Sequence, residues 1–305
     1  MAFKRLKVGP LGIAVTANEH AAGFHVSFEG SSWRDFARGM KERRAKARGN
    51  AQGSAPAAAQ DAPADAKEAL QRRVDAIKWY HTLDLGDGVV TPGRFDHNPI
   101  LDLYRLPERM DGLRVLDVAT FDGFWAFQFE RRGAKEVIAL DLDNASQIDW
   151  SPQARREATP AELAMRLGNG FALAQERLGS KVQRVVCNVY DLTPELYGEF
   201  DVVHSGDVLL HLAHPVKALQ NMARVCRGYA LISDVYFPEL DSLGGGSLCE
   251  YRGFRDMTWW RMSLAALQQM VLDAGFARVE VLNKFEYGYR DTPGRWQHAV
   301  IKAYK

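Results

Sequence analysis

Residues 115–133 read VLDVATFDGFWAFQFERRG, and this stretch predicts a strand, a tight turn and a helix in succession. VLDV is a β-branched apolar run typical of a strand that is buried on both faces. FWAFQFERRG is typical of a helix, with Arg131 and Arg132 near the negative end of its dipole and Gly133 as its stop. The turn ATFDG follows the carboxyl end of the strand, where open α/β sheets bind their ligands.

This turn has fewer glycines than most nucleotide-binding turns. Glycine is needed where φ is positive or where a Cβ atom would strike the ligand. Only Gly123 remains here, because Ala119 and Phe121 stand at the other places. Ala119 adds one methyl group, Phe121 is expected to direct its ring away from the ligand or over it, and Gly123 keeps the closest approach open. We therefore predict that the turn still presents its N–H groups to a ligand.

Strands and helices alternate through the rest of the chain. Four further strands are predicted, namely EVIALD (136–141), RVVCNV (184–189), FDVVHSG (200–206) and YALISDV (229–235). Helices are predicted over 161–179, 215–226 and 263–275. FARVEVLNKF and HAVIKAY end the chain as two strands joined by a loop too short for a helical crossover, and they are therefore antiparallel. The pattern predicts an α/β fold with a doubly wound, mostly parallel seven-stranded sheet and an antiparallel C-terminal strand pair.

The first part of the chain has a different composition. Residues 1–49 are predicted to form an N-terminal extension, with LGIAV and FHVSF as a small hairpin and WRDFARGMKERRAKARG as a basic helix. Residues 50–64 lack large apolar side chains and are predicted to be a flexible linker. The main domain is predicted over 65–305, starting with a helix that Asp65 and Glu68 cap.

Polar residues at the ends of the second and third strands suggest how a nucleoside would be bound. Asp141 ends the second strand, 18 residues after Gly123. This is near the spacing of roughly 20 residues at which a carboxylate reaches ribose hydroxyls. After the third strand, Val189 or Tyr190 would flank an adenine, and Asp191 would accept a hydrogen bond from its amino group.

The fourth strand ends at SGDVLLH, next to the first strand in the predicted order. Asp207 is therefore expected near the reacting group, and His211 is the other candidate base. Two alternatives stay open. Asp207 could instead cap the following turn or bind the amino group of the cofactor, and His211 could be a structural helix histidine.

Three stretches resemble class I S-adenosylmethionine-dependent methyltransferases: VLDVATFDGFWAFQFERRGA, WYHTLDLGDGVVTPG and FDVVHSGDVLLHLAHPVKAL. More narrowly, they resemble the family grouped with the tRNA wobble-uridine methyl and carboxymethyl transferases, over about residues 75–303. That family often has Thr, an aromatic residue, Asp and Gly in the places of 120–123. The resemblance implies S-adenosylmethionine as the cofactor. It implies cofactor contacts at Asp117, Ala119, Thr120, Phe121, Gly123, Asp141, Leu142, Val189 and Tyr190.

The carboxymethyl-transferring members carry a tyrosine immediately before the histidine of the fourth-strand block, whereas Leu210 precedes His211 here. They also place tryptophans and lysines before the first strand, where this chain has RFDHNPILDLYRLP. A carboxylated cofactor needs cationic and phenolic partners for its extra charge. We therefore predict ordinary methyl donation.

Two aromatic clusters are candidates for the acceptor pocket. One is Trp79, Tyr80 and His81, and the other lies at 251–262 and contains Trp259, Trp260 and Arg261. Both could instead belong to the core. LGGGS (243–247) before the second cluster suggests a mobile cover. Its arginines, Arg252, Arg255 and Arg261, could stack on a planar substrate or pair with an anionic one.

Composition limits the functions that remain. The net charge is +1 over 305 residues, which predicts no broad contact with nucleic acid or membrane. The three cysteines show no CxxC spacing, and no apolar run reaches the roughly 18 residues of a membrane span, so a cytoplasmic protein is expected. His204, His211 and His214 are not expected to converge on a metal.

Three functions remain in view. The first is methyl transfer to an oxygen or nitrogen atom of a small molecule. The second is methylation of a tRNA base, with the basic segment 34–48 on phosphates. The third is a catalytically silent binding module, against which the presence of Asp117, Asp141 and Asp207 argues. The sequence does not indicate an oligomeric state.

Overall fold

The structure is a computed structural model, and its side chains are described for residues 65–244, 246–253 and 257–305. For 62–64 and for three earlier strands only the backbone is described. The chain divides into two compact units, Met1–Gln60 and Asp61–Lys305. The first unit contains strands β1 (Arg5–Val8), β2 (Leu11–Asn18) and β3 (Ala21–Val26), paired antiparallel in that order. LGIAV lies in β2, and the first three residues of FHVSF lie in β3.

The basic helix predicted within 34–48 and residues 50–61 of the predicted linker lie outside the described residues. Helix α1 (Ala62–Asp75) includes residues 62–64, which were predicted to belong to the linker, so it starts earlier than expected. Asp65 therefore lies in the first turn of the helix, where its charge suits the dipole, and is not the cap.

The second unit is built on one seven-stranded sheet. Its strands are β4 (Arg114–Val118), β5 (Glu136–Asp141), β6 (Gln183–Val186), β7 (Phe200–Gly206), β8 (Cys226–Tyr236), β11 (Arg278–Tyr287) and β12 (Trp296–Tyr304). The spatial order is β11-β12-β8-β7-β4-β5-β6. β4 to β8 are parallel, and β12 runs antiparallel to both β8 and β11. The predicted sheet, including its antiparallel C-terminal pair, is confirmed.

Helices cover both faces of this sheet. The helices that follow α1 in this unit are α2 (Phe124–Arg131), α3 (Pro152–Glu157), α4 (Pro160–Leu163), α5 (Asn169–Leu178), α6 (Pro194–Tyr197), α7 (Pro215–Val225), α8 (Pro238–Ser242) and α9 (Leu264–Asp273). Short 3₁₀ segments lie at Asn98–Tyr104, Ala145–Gln147, Val189–Asp191 and Leu209–His211. A two-stranded ribbon, β9 (Cys249–Tyr251) and β10 (Trp260–Met262), precedes α9.

The central strand β4 divides the core into two apolar clusters. Leu116 and Val118 belong to one cluster and Val115 to the other, because successive side chains of a strand point to opposite faces. Because β4 is buried on both faces, apolar residues in VLDV do not alternate with polar ones along the strand. The strand order reverses around β4, since the chain continues to β5 on one side and returns to β7 on the other.

Two predicted elements have a different conformation in part of their length. The helix expected over 161–179 is two helices, because Gly168 has φ +86° and starts α5 separately from α4. The third strand stops at Val186, and NVYD forms a 3₁₀ turn in which the Asn188 side chain accepts from Tyr190 N–H at 3.0 Å. Ser263 caps α9, with its hydroxyl accepting from Ala266 N–H at 3.0 Å. Within the described part of the chain, no helix has both the length and the apolar character needed to cross a bilayer.

Candidate active site

The turn after β4 has the backbone of a glycine turn although it has one glycine. Ala119, Phe121 and Gly123 have φ of +58°, +50° and +88°. A left-handed conformation costs a non-glycine residue roughly 1–2 kcal/mol. Hydrogen bonds hold the turn in this shape: Thr120 N–H donates to the Leu140 carbonyl at 3.2 Å, and Phe121 N–H donates to the Asp141 carboxylate at 2.7 Å.

A cavity opens beside this turn at the carboxyl ends of the parallel strands. Its wall includes five of the residues predicted for the cofactor: Ala119, Asp141, Leu142, Val189 and Tyr190. The remaining lining residues were not predicted. They are Val118, Leu140, Gln147, Asp149, Cys187, Asn188, Val208 and Leu212.

Asp141 is the buried anionic group of the cavity. One carboxylate oxygen accepts from Leu142 N–H and the other from Phe121 N–H, each at 2.7 Å. Burial raises the pKa of Asp141 to about 6, although both backbone hydrogen bonds act in the opposite direction. Each carboxylate oxygen has a further lone pair, so the group can still accept hydrogen bonds from a ligand.

Asp149 holds the rim of the cavity together. Its carboxylate accepts from the Tyr190 hydroxyl and, at 2.7 Å, from Ala213 N–H. Burial, followed by the hydrogen bond to Asp149, raises the pKa of Tyr190. Asp191, which was predicted to accept a hydrogen bond from the adenine amino group, is exposed and is not in the lining. No motif marked Asp149, which lies in the irregular segment before α3.

The remaining turn residues do not line the cavity. The Asp117 carboxylate is buried and forms a 2.7 Å hydrogen bond with Nδ1 of His204. Thr120 is also buried, and Phe121 turns its ring toward Tyr80, with centroids 5.0 Å apart. A Cβ atom on Gly123 would lie within 2.8 Å of the rings of Phe127 and Phe171, so its lack of a side chain serves internal packing.

Asp122 joins the turn to the first aromatic cluster. One of its carboxylate oxygens accepts from Tyr80 N–H at 2.6 Å and from His81 N–H at 3.0 Å. Burial raises the pKa of Asp122 to about 7. This residue was not predicted as a site residue, because its bonding partners lie about 40 residues earlier in the chain and only the fold brings them together.

Replacing Asp122 by Asn should weaken the pH dependence of stability. The raised pKa means that the folded protein keeps a proton that the unfolded chain releases near its ordinary pKa of about 3.9. The stabilisation is complete below that value and is lost as the pH rises to about 7. We expect the free energy of unfolding to fall between about pH 5 and about pH 7, with a slope that is up to about 1.4 kcal/mol per pH unit shallower in Asp122→Asn.

Urea denaturation of both proteins across this range measures the two slopes. Asp111→Asn is the control, because Arg109 lowers the pKa of that exposed carboxyl below the range. Equal slopes in wild type and Asp122→Asn would contradict the prediction.

The first aromatic cluster is divided between core and site. Trp79 is buried in the core and donates its indole N–H to the Val74 carbonyl at 2.9 Å. Tyr80 is half-buried and packs between the rings of Phe95 and Phe121. His81 is buried, and burial lowers its pKa to about 3, so that the ring is neutral.

Asp207 follows β7 and has φ +51°. Its neighbour Val208 lines the cavity, whereas Asp207 itself is not in the lining. Nε2 of His298 lies 3.3 Å from Oδ1 of Asp207. His211, predicted as the other base, donates from Nδ1 to the Met257 carbonyl at 3.0 Å. No motif in the terminal strand indicated His298.

The second aromatic cluster lies over the rim of the cavity. Trp259 donates its indole N–H to the Asp149 carbonyl at 2.7 Å, and Trp260 donates to the Ala213 carbonyl at 3.3 Å. The Arg261 guanidinium forms ion pairs with Glu239 and Glu250. Arg255 and Gly245 lie outside the described residues. Among the residues that are described, no group of three or more His, Cys, Asp or Glu side chains could hold a metal ion.

The sheet order and the cavity beside the β4 turn define a class I methyltransferase fold. The chain belongs to the family described as methyltransferase domain, whose model matches residues 96–281. None of the curated proteins matches it.

Solved structures with the same fold include the N-terminal domain of EvdMO1. In the presence of SAH and D-fucose, that domain has a TM-score of 0.55 at 18% identity, over 79% of this chain and 97% of the other. With SAH bound, it has a TM-score of 0.54 at 19% identity over the same shares. Against full EvdMO1 the TM-score is 0.50 at 18% identity, over 81% of this chain and 49% of the other.

Proposed function

We propose that the protein transfers a methyl group from S-adenosylmethionine to an oxygen or nitrogen atom of a small molecule. The observation that carries the proposal is the cavity itself, where a buried carboxylate at Asp141 lies among apolar walls formed by Val118, Leu140 and Val189. An adenosine has the matching chemistry, with two adjacent ribose hydroxyls that donate and a flat base that packs between apolar side chains. The EvdMO1 domain of the same fold was solved with SAH.

Four residues of the cavity wall would hold the cofactor. Asp141 would accept from the ribose hydroxyls, and Leu142 and Val189 would border the adenine. Asp149, with its carboxylate already fixed by Tyr190 and Ala213, would accept from the adenine amino group. The cofactor supplies a methyl group on a positively charged sulfur.

The chain's own contribution to the chemistry is positioning and proton removal. Methyl transfer is an in-line displacement, so the site must align the acceptor atom with the methyl group and exclude water. Tyr80 and Phe121, which are in ring contact, would form one wall for the acceptor. Asp207, whose side chain is partly exposed next to Val208 of the cavity wall, would take the acceptor's proton.

A small acceptor is favoured over RNA by charge. The net charge of +1 supplies no broad field for phosphates. In the second cluster the Arg261 guanidinium is already engaged by Glu239 and Glu250. Methylation of tRNA stays a prediction, since the basic segment 34–48 lies outside the described residues.

Two measurements test the proposal. Titration calorimetry should detect saturable binding of S-adenosylmethionine. The protein should then move a labelled methyl group from this donor into the small-molecule fraction of a cell extract and not into purified tRNA. Incorporation into tRNA alone would contradict the small-molecule acceptor, and binding without any transfer would favour a silent module. Absence of binding would refute the proposal.

A further inference from the structure

His298 and Asp207 meet although they lie on different elements and far apart in the sequence. β12 runs antiparallel to β8, and β8 pairs with β7, so that the start of β12 lies at the carboxyl end of β7. His298 stands in β12 opposite Val235, and Asp207 is anchored to β8 by its N–H, which donates to the Ser233 carbonyl at 2.8 Å. The resulting Nε2–Oδ1 distance is 3.3 Å.

A second contact determines which ring nitrogen of His298 carries a proton. Nδ1 lies 3.0 Å from the Trp296 carbonyl oxygen, which can only accept, so Nδ1 donates. In a neutral ring Nε2 would then carry a lone pair 3.3 Å from Oδ1 of the Asp207 carboxylate. A proton on Nε2 replaces this repulsion by an ion pair, and the doubly protonated ring is therefore the form that fits both neighbours.

Burial favours the neutral form of the other titratable groups described around this pair. Six of them interact electrostatically with Asp207 or His298: Tyr80, His81, His97, Tyr104, Tyr287 and Asp234. Burial raises the pKa of each tyrosine and lowers the pKa of both histidines, which favours the uncharged forms. Burial, followed by repulsion from Asp207, raises the pKa of Asp234 to about 8. In contrast, the pKa of His298 is raised in spite of burial, with Asp207 as the main cause.

Access differs between the two partners. The His298 side chain is only 1% exposed, whereas that of Asp207 is 14% exposed. Asp207 can therefore touch an acceptor, and His298 can act only through Asp207. Phe285 stacks on the ring of His298, with an interplanar angle of 10° and ring centroids 5.5 Å apart.

We propose that His298 is the positioning partner of Asp207: its imidazolium fixes the position of the partly exposed Asp207 carboxylate, and that carboxylate takes the acceptor's proton. The inference rests on the proposed function. The acceptor's oxygen or nitrogen forms a bond to the methyl carbon while the carbon–sulfur bond breaks, and the bonding electron pair stays on sulfur. The acceptor's proton moves to Asp207 and from there to solvent.

Nuclear magnetic resonance of the histidine rings tests the pair without any cofactor. The His298 signals are assigned by their loss in His298→Gln. In the wild type we expect a titration midpoint above the ordinary value of about 6.5, with both ring nitrogens protonated below that midpoint. In Asp207→Asn the midpoint should fall, and in Asp111→Asn it should stay unchanged. Asparagine tolerates the left-handed backbone at this position, so the variant should fold. An ordinary midpoint in the wild type, or one unaffected by Asp207→Asn, would overturn the inference.

The role in transfer is tested in the labelled-methyl assay. His298→Gln should lower methyl incorporation at least about tenfold while binding S-adenosylmethionine within about threefold of wild type. Wild-type activity should also decline as the pH rises through the raised His298 pKa, and His298→Gln should lack this decline. Undiminished transfer by His298→Gln would overturn the inference alone. Failure of the wild type to bind the donor would overturn the proposed function, and the ring titrations would still report on the pair.

Discussion

Asp141→Asn should weaken the binding of S-adenosylmethionine by roughly 10- to 100-fold. A hydrogen bond to a charged group contributes about 1.5–3 kcal/mol, and the substitution removes the charge while it replaces one acceptor oxygen by a donor. Asparagine is preferred to alanine here, because it keeps an acceptor for one of the two N–H groups of Phe121 and Leu142, whereas alanine would leave both without one. Titration calorimetry gives the dissociation constants.

Asp143→Asn is the matched control for this prediction. Asp143 lies two residues further on, is 42% exposed, pairs with Arg166 at 3.2 Å and is not in the cavity wall. Its substitution should change the affinity by less than about twofold. Thermal unfolding of both variants reports whether the fold is kept. Equal affinities of wild type and Asp141→Asn, both folded, would refute the assignment of Asp141 to the ribose.

Gly123→Ala should lower the free energy of unfolding by roughly 3 kcal/mol. With φ at +88°, an alanine would adopt a left-handed backbone at a cost of about 1–2 kcal/mol. Its Cβ atom would also lie 2.6 Å from Phe127 and 2.7 Å from Phe171, two fully buried rings with no space to move into. Forcing a methyl group into such packing costs about 1–3 kcal/mol. Urea denaturation measures the loss.

Gly179→Ala separates the two contributions. Gly179 ends α5 with φ +59°, and a Cβ atom there would meet nothing within 4 Å. This variant therefore carries only the backbone strain and should lose about 1 kcal/mol. If the two variants lost equal stability, packing against Phe127 and Phe171 would not be the reason for glycine at position 123.

The strands were predictable because their signals are local. EVIALD and FDVVHSG were predicted with the bounds that the structure has. A run of apolar β-branched residues reports burial on both faces without knowledge of its neighbours. The short loop before HAVIKAY likewise excludes a helical crossover by its length alone.

Errors arose where a local pattern allowed two outcomes. Apolar residues over 161–179 fit one helix, but the backbone at Gly168 divides it. NVYD was read as the end of the third strand. The Asn188 side chain instead accepts from Tyr190 N–H, and this local hydrogen bond forms a turn in place of the strand.

The sequence by itself determined the parallel sheet, the turn after its first strand and the carboxylate at 141, because each depends on residues close together in the chain. The methyltransferase family follows from the same residues. Only the tertiary structure decided that Asp122 anchors Tyr80, that Asp149 closes the rim and that Asp207 meets His298. Contacts of this kind depend on strand order and register, which bring together side chains that no local pattern relates.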